Sequence, residues 1–322
     1  MSTSTPPSID VGAETAEKPS RAAAAKQKLS SPWASLFAIV IAILWTIPTL
    51  GLFISSFRPE SSVKGSGWWT WFTDPEFTMS NYDAVLNGGD TNLATYFVNT
   101  IVITIPAVVI PISIAVLAAY AFAWMKFPFR DGLFVAVFAM QIVPIQVTMI
   151  PLLTLYVNPG GALGLEDGSI PSLAGPDAFG GGFYTIWLSH AIFALPLAIY
   201  LLHNFMKEIP GELIEAAFVD GAGHAQVFTK IMLPLMTPAI AAFGIFQFLW
   251  VWNDLLVALV FGGGNLDVSP LTVRLAELSG SRGADWHLLS AGAFVSLIVP
   301  LIVFLSLQRF FVRGLLAGSV KG

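Results

Sequence analysis

Six apolar runs, each long enough to cross the ~30 Å hydrocarbon core of a bilayer as a helix rising ~1.5 Å per residue, decide what this chain can fold into. They lie at about 33–57, 94–124, 131–157, 182–205, 238–262 and 287–311. Only 11% of the residues are charged and the mean hydropathy is +0.75, so these are not the core helices of a soluble domain. The expected fold is all-α, a polytopic membrane bundle of six transmembrane helices over residues 33–311. The absence of cysteine excludes a disulfide framework, a thiolate metal site and a thiol nucleophile.

Orientation follows Lys and Arg in the short loops. With the N-terminus inside, Lys18, Arg21, Lys26, Lys28, Lys126, Arg130, Lys207, Lys230, Arg309, Arg313 and Lys321 are cytoplasmic, and Arg58, Lys64, Arg274 and Arg282 are outside. That eleven-to-four bias predicts a multi-pass protein of the cytoplasmic membrane with both termini in the cytoplasm. Residues 1–32 hold too few large apolar side chains to offset the entropy of ordering and read as a disordered tail. The run that follows exceeds the ~7–15 residue core of a secretion signal and lacks a small-residue cleavage site, so it remains as the first span. Residues 312–322 read as a cytoplasmic C-terminal tail.

The outer segment 58–93 carries Trp68, Trp69, Trp71 and Phe72, a cluster that suits the headgroup level or a partner surface. The glycine- and proline-rich segment 158–181 favours turns. Pro48, Pro106, Pro111, Pro144, Pro151, Pro196 and Pro300 each remove a backbone donor inside or near a span, where kinks or freed carbonyls are expected.

Polar residues at membrane depth are sparse. Asp254 in the fifth run costs about 2.5–3.5 kcal/mol at a helix centre, so it is expected to face the bundle interior, a water-filled cavity or the outer interface. Gln247, Trp250 and Asp254 fall on one helical stripe with Asn253 beside it. An aromatic plate beside amides and a carboxylate is chemistry that binds sugars, and the same residues serve equally as a helix lock or an outer gate. Gln141, Pro144 and Thr148 form a similar stripe on the third run. His190, His203, His224 and His287 stand apart in sequence from any second ligand at metal spacing.

No phosphate-binding loop, zinc-protease motif, nucleophile elbow or dinucleotide fingerprint occurs, so neither ATP binding nor covalent chemistry is expected in this chain. Energy for uphill transport must then enter from another polypeptide or an ion gradient. The loop 206–237 bears on that choice. In Lys207–Gly223, Pro210 suits a first helical turn, Glu208, Glu212 and Glu215 lie towards the positive end of the dipole, and Gly221 or Gly223 suits a left-handed cap. Leu213, Ile214, Ala217 and Phe218 make an apolar face, with Ala216 and Ala217 small enough for close approach to a partner. A helix so short needs a packing surface. One lying in the headgroup plane would carry Lys and Arg along its polar face, whereas this face is acidic.

These residues resemble the signature of the membrane subunits of bacterial ATP-binding-cassette importers: E-A-A at Glu215, Ala216 and Ala217, then Gly221, then Ile231, Leu233 and Pro234. Two further segments, Phe248–Leu256 and Gln308–Gly322, resemble the carbohydrate branch, specifically the second membrane subunit of the maltose importer. Ser56–Pro59 and Asn81–Tyr82 look like the alpha-glucoside permeases. The resemblance implies a type I importer permease fold and a translocation path working by alternating access. It implies coupling to an ATPase through Glu212, Glu215, Ala216, Ala217, Asp220, Gly221, Ala222, Ile231, Leu233 and Pro234. The implied partners are a homologous second permease, an ATPase dimer that uses ATP and Mg, an extracytoplasmic sugar-binding protein and membrane lipid. The path candidates are Gln141, Gln247, Trp250, Asn253 and Asp254; in the maltose system most sugar contacts come from the other permease, which leaves Asp254 to the gate. The rivals are an importer subunit for a non-sugar solute, an ion-gradient-driven transporter, for which only Asp254 approaches a midplane carboxylate, and an integral-membrane enzyme, which would need clustered His, Asp or Glu.

Overall fold

A computed structural model describes residues 32–88, 92–280 and 285–317, with side chains described except at Phe179 and from Arg309 on. The expected disordered tail, Arg282 and the end of the C-terminal tail lie outside the described residues. Among the described residues all regular structure is helical. Five helices are long and apolar enough to span a membrane: Pro32–Ser56, Leu93–Trp124, Gly180–Lys207, His224–Trp252 and Trp286–Gln308. The apolar run at 131–157 is a bent pair of helices, Arg130–Ile142 meeting Ile145–Val157 at 102°, numbered below as the third span. The chain separates into two units at Leu52. The first contains the apolar helix from Pro32, and the second, from Phe53, contains the remaining spans and loops.

In the second unit the second and fourth spans pack most extensively on each other, and the fifth packs on the second, fourth and sixth. Their close approach follows from small side chains. Ala107, Ala115, Ala119 and Ala123 on the second span and Ala191, Ala194 and Ala198 on the fourth are all buried. In lipid, with no hydrophobic drive between helices, such small faces let backbones gain dispersion contacts. A cluster at the loop end joins Tyr120, Leu202, Met206, Ile214, Val227 and Met232. A second cluster joins Ile103, Tyr156, Ile186, Val251 and Phe261. A third, beneath the 58–93 segment, joins Val85, Leu93, Leu271, Leu278 and Ala291.

Several expected boundaries are corrected. The run 131–157 is not one helix: Pro144 has no N–H, and Val143 before it is extended (φ −74°, ψ 120°), so the ladder stops there. Pro48, Pro106, Pro111, Pro151, Pro196 and Pro300 lie inside helices that continue through them. The fifth helix starts at His224 rather than 238, shortening the loop from 206–237 to 208–223, and it ends at Trp252 before a separate helix at Leu256–Phe261. The last helix continues to Ala317, into the stretch expected as tail.

The 58–93 segment is built on a buried arginine. Arg58, 3% exposed, donates to the carbonyl oxygens of Gly67 at 3.0 Å and Ser62 at 3.2 Å, to Ser66 Oγ at 2.7 Å and to Thr70 Oγ1 at 3.1 Å. Asn81 Nδ2 donates to the carbonyls of Ser56 and Arg58 at 2.9 and 2.8 Å, and Ser56 Oγ lies 2.9 Å from the Tyr82 hydroxyl. Ser56–Pro59 and Asn81–Tyr82 are therefore one structural unit. It presents the Trp68–Phe72 turn, whose Trp69 and Phe72 are exposed. At its edge Lys64 hydrogen-bonds Glu60 and holds that exposed carboxyl below its usual range, with the Lys64 and His287 charges adding to the effect.

Candidate functional site

The loop between the fourth and fifth spans forms one helix, Gly211–Val219, with Pro210 as its N-cap. Its end is a Schellman motif: Ala222 N–H donates to Ala217 O at 2.9 Å, Gly221 N–H donates to Phe218 O at 3.0 Å, and Gly221 has φ +84°. The spacing of Ala217, Gly221 and Ala222 thus has a backbone cause. Glycine takes the left-handed position at no steric cost, and the flanking alanines exchange the bond that closes the helix.

The helix faces differ from the expected ones. Ile214 is 1% exposed and faces the chain's own core, so it is not free for a partner, while Ala217 packs beside it half-buried. The outward apolar surface is Leu213, 50% exposed, Val219, 87% exposed, and part of Phe218. Glu212, Glu215, Ala216 and Asp220 are exposed around it. Ile231, Leu233 and Pro234 lie outside this helix. Ile231 packs on the loop-end core, and Phe228–Met232 is a π-helical turn in which Leu233 N–H reaches back to Phe228 O. Pro234 has no N–H to continue an α ladder, and the wide turn sits just before it.

The expected path stripe is divided by helix ends. Gln247, 1% exposed, turns its amide onto the second span and donates from Nε2 to Ala107 O at 3.2 Å. Trp250 is partly exposed and meets the Phe246 ring at 5.9 Å. Asn253 is the C-cap of the fifth helix and donates to Leu249 O at 2.8 Å. Asp254, outside the helix that was expected to carry it, accepts from the N–H groups of Val257 at 3.3 Å and Ala258 at 3.0 Å. It caps the Leu256–Phe261 helix, whose positive end favours a carboxylate.

His190, expected to stand alone, is 3% exposed with Nε2 3.6 Å from the Asp254 carboxylate, too long for a hydrogen bond. The Thr272 hydroxyl donates to the Asp254 carbonyl. Gln141 lies elsewhere, in the turn before the third-span break. With Thr148, Pro151, Ile192, Phe193 and Pro196 it lines a cavity of about 440 Å³ between the divided third span and the fourth.

The cap makes a prediction. Asp254→Ala removes both acceptors and costs about 1 kcal/mol, read as about fivefold faster amide exchange at Val257 and Ala258, while Asp254→Asn retains most of the protection. Transport lost in Asp254→Asn with exchange unchanged would assign the charge to the path instead of the cap.

Long apolar helices, a bent third span and one short capped helix between the fourth and fifth spans define a helical membrane protein. The chain belongs to the family of binding-protein-dependent transport system inner membrane components, whose model matches residues 111–316. It is 52% identical over 88% of its length to the osmoprotective compounds uptake permease protein GgtD of Synechocystis sp., covering 90% of that protein. It is 48% identical over 84% of its length to the alpha-glucoside transport system permease protein AglG of Rhizobium meliloti, covering 67% of that protein. The trehalose transport system permease protein SugB of Mycobacterium tuberculosis is 34% identical over 90% of this chain and 97% of that one. The fold is shared with a chain from the crystal structure of a bacterial alginate ABC transporter in complex with an alginate pentasaccharide-bound periplasmic protein. The TM-score is 0.65 and the identity 15%, over 89% of this chain and 96% of that one. The chain is thus a permease subunit, a membrane transport component of this family.

Proposed function

We propose that this chain is one of two membrane permeases of an ATP-driven importer of sugars, with an alpha-glucoside or oligosaccharide as cargo, and that the Gly211–Val219 helix docks into an ATPase subunit. The observation that carries the docking is the outward surface of that helix: Leu213 and Val219 are apolar and exposed, on a helix outside the spans whose polar positions are acidic. A headgroup-bound helix would carry cations there. The distribution of Lys and Arg supports a cytoplasmic location for this helix and both termini. The relatives named for alpha-glucosides and trehalose support a carbohydrate cargo.

In this reading the ATPase dimer binds ATP and Mg, and its closure moves the helix as a lever. The spans pass from inward-open to outward-open while an extracytoplasmic binding protein delivers solute. This chain's own part is to transmit movement and to line the path, with the Gln141 cavity and Trp250 the candidates for solute contact. The test is uptake of a labelled alpha-glucoside by liposomes holding the co-expressed complex and its binding protein. Uptake should require ATP on the ATPase face and persist when the proton gradient is collapsed. Uptake that follows the gradient and ignores ATP would overturn the reading.

A further inference from the structure

We propose that Tyr120 and His224 form the joint through which movement of the Gly211–Val219 helix enters the second and fifth spans, and that both are positioning residues for transport; this rests on the docking role proposed above. Four rings make a continuous side-chain path. Phe218, in the last turn of the short helix, meets the His224 ring edge-on with centroids 5.0 Å apart. His224 Nδ1 lies 2.9 Å from the Tyr120 hydroxyl, which is also 3.4 Å from the His224 carbonyl oxygen. The Tyr120 ring meets Phe228, the first residue of the π turn, at 5.3 Å.

Tyr120 is buried on the second span within the cluster shared with the fourth, so displacement reaching it is delivered to the most extensively packed pair of spans. The covalent path between Phe218 and His224 reverses direction at Gly221 and continues through Gly223, held by the Schellman bonds on one side and by Gly223 O accepting from Gln226 and Val227 on the other. The side chains run straight across this bend, so a push on the short helix reaches Tyr120 through the rings without following the turn.

The π turn that follows gives the fifth span a place to yield. Leu233 N–H reaches Phe228 O, five residues back, and Pro234 offers no N–H to restore the α register. His224 stands at the start of that helix, so the joint bears on the pivot as well as on the second span.

The experiment uses the assembled complex with its ATPase and binding protein in liposomes, and reads ATPase capture, ATP hydrolysis and solute taken up per ATP. Tyr120→Phe keeps the ring and removes the hydroxyl; His224→Phe does the same for Nδ1 at an exposed position. Each should leave capture and hydrolysis in place and lower uptake per ATP about fivefold to tenfold, the scale of one lost hydrogen bond. The double variant should lose no more than the worse single, because both remove the same link. Uptake per ATP unchanged in Tyr120→Phe, or losses that multiply in the double variant, would overturn the joint. The docking reading fails separately, if Leu213→Asp leaves ATPase capture intact.

Discussion

Leu213→Asp should abolish capture of the ATPase subunit while leaving the permease folded in the membrane, and Val219→Asp should do the same. Both side chains are apolar and exposed on the outward surface of the Gly211–Val219 helix, so neither change touches the chain's own core. In an assembled interface each would place an unpaired carboxylate in a desolvated groove. Truncating a central apolar anchor costs about 2 kcal/mol or more, and an uncompensated charge adds to that. Capture should fall more than about thirtyfold, as measured by co-purification at fixed detergent and salt. Ile214→Asp gives the contrast. Ile214 is 1% exposed against Met206 and Met232, so its variant should fail to accumulate as folded protein. Ala217 belongs with Ile214: a bulky residue there overpacks the core by about 1–3 kcal/mol before any partner is involved.

Gly221→Val should abolish transport, whereas Gly221→Asn should retain a large part of it. Space does not set the difference, since a Cβ at Gly221 meets nothing within 4 Å. The backbone does. At φ +84° a β-branched residue is strongly disfavoured, and a side chain in the left-handed region costs about 1–2 kcal/mol, less for asparagine. Strain of that size competes with the Schellman bonds from Ala222 to Ala217 and from Gly221 to Phe218. Losing them frays the turn that carries Phe218 and Val219. Uptake per ATP together with protease sensitivity between Phe218 and His224 separates this from a packing defect, because fraying raises both hydrolysis-without-uptake and cleavage.

What could be read from the chain beforehand follows from which forces are local. Spans are legible because burying backbone in lipid demands long apolar runs, and a left-handed cap at Gly221 or Gly223 is legible because glycine takes that conformation at least cost; the structure puts it at Gly221. A kink at Pro144 is legible, and the 102° bend is there; which of the seven prolines breaks its span is not. Pro144 looks like Pro106 and Pro111 in sequence, yet those two lie within the long second helix and Pro144 lies at an exposed bend. The end of the fifth helix did carry a signal. Asn253–Asp254 inside an apolar run is a C-cap followed by a carboxylate that takes the first N–H groups of the next helix, and reading it as a continued stripe placed Asp254 on a helix that had already ended. The inward turn of Ile214 and Ala217, the His190–Asp254 approach and the Tyr120–His224 contact depend on tertiary packing. The last joins residues 104 apart, which no local pattern encodes.

The central claim is that the outward surface of the Gly211–Val219 helix is where the partner ATPase engages this permease. The chain has no cysteine, so one introduced at Val219 is the sole thiol in this subunit and reports its neighbour without background from this chain. Treating the assembled complex with a short thiol-to-amine cross-linker should join the Val219→Cys permease to the ATPase subunit, with a yield that changes when ATP is added, while Trp69→Cys on the far segment should not join it. Absence of the Val219 product in a complex that still hydrolyses ATP and transports, or an ATPase product from Trp69→Cys, would contradict the account.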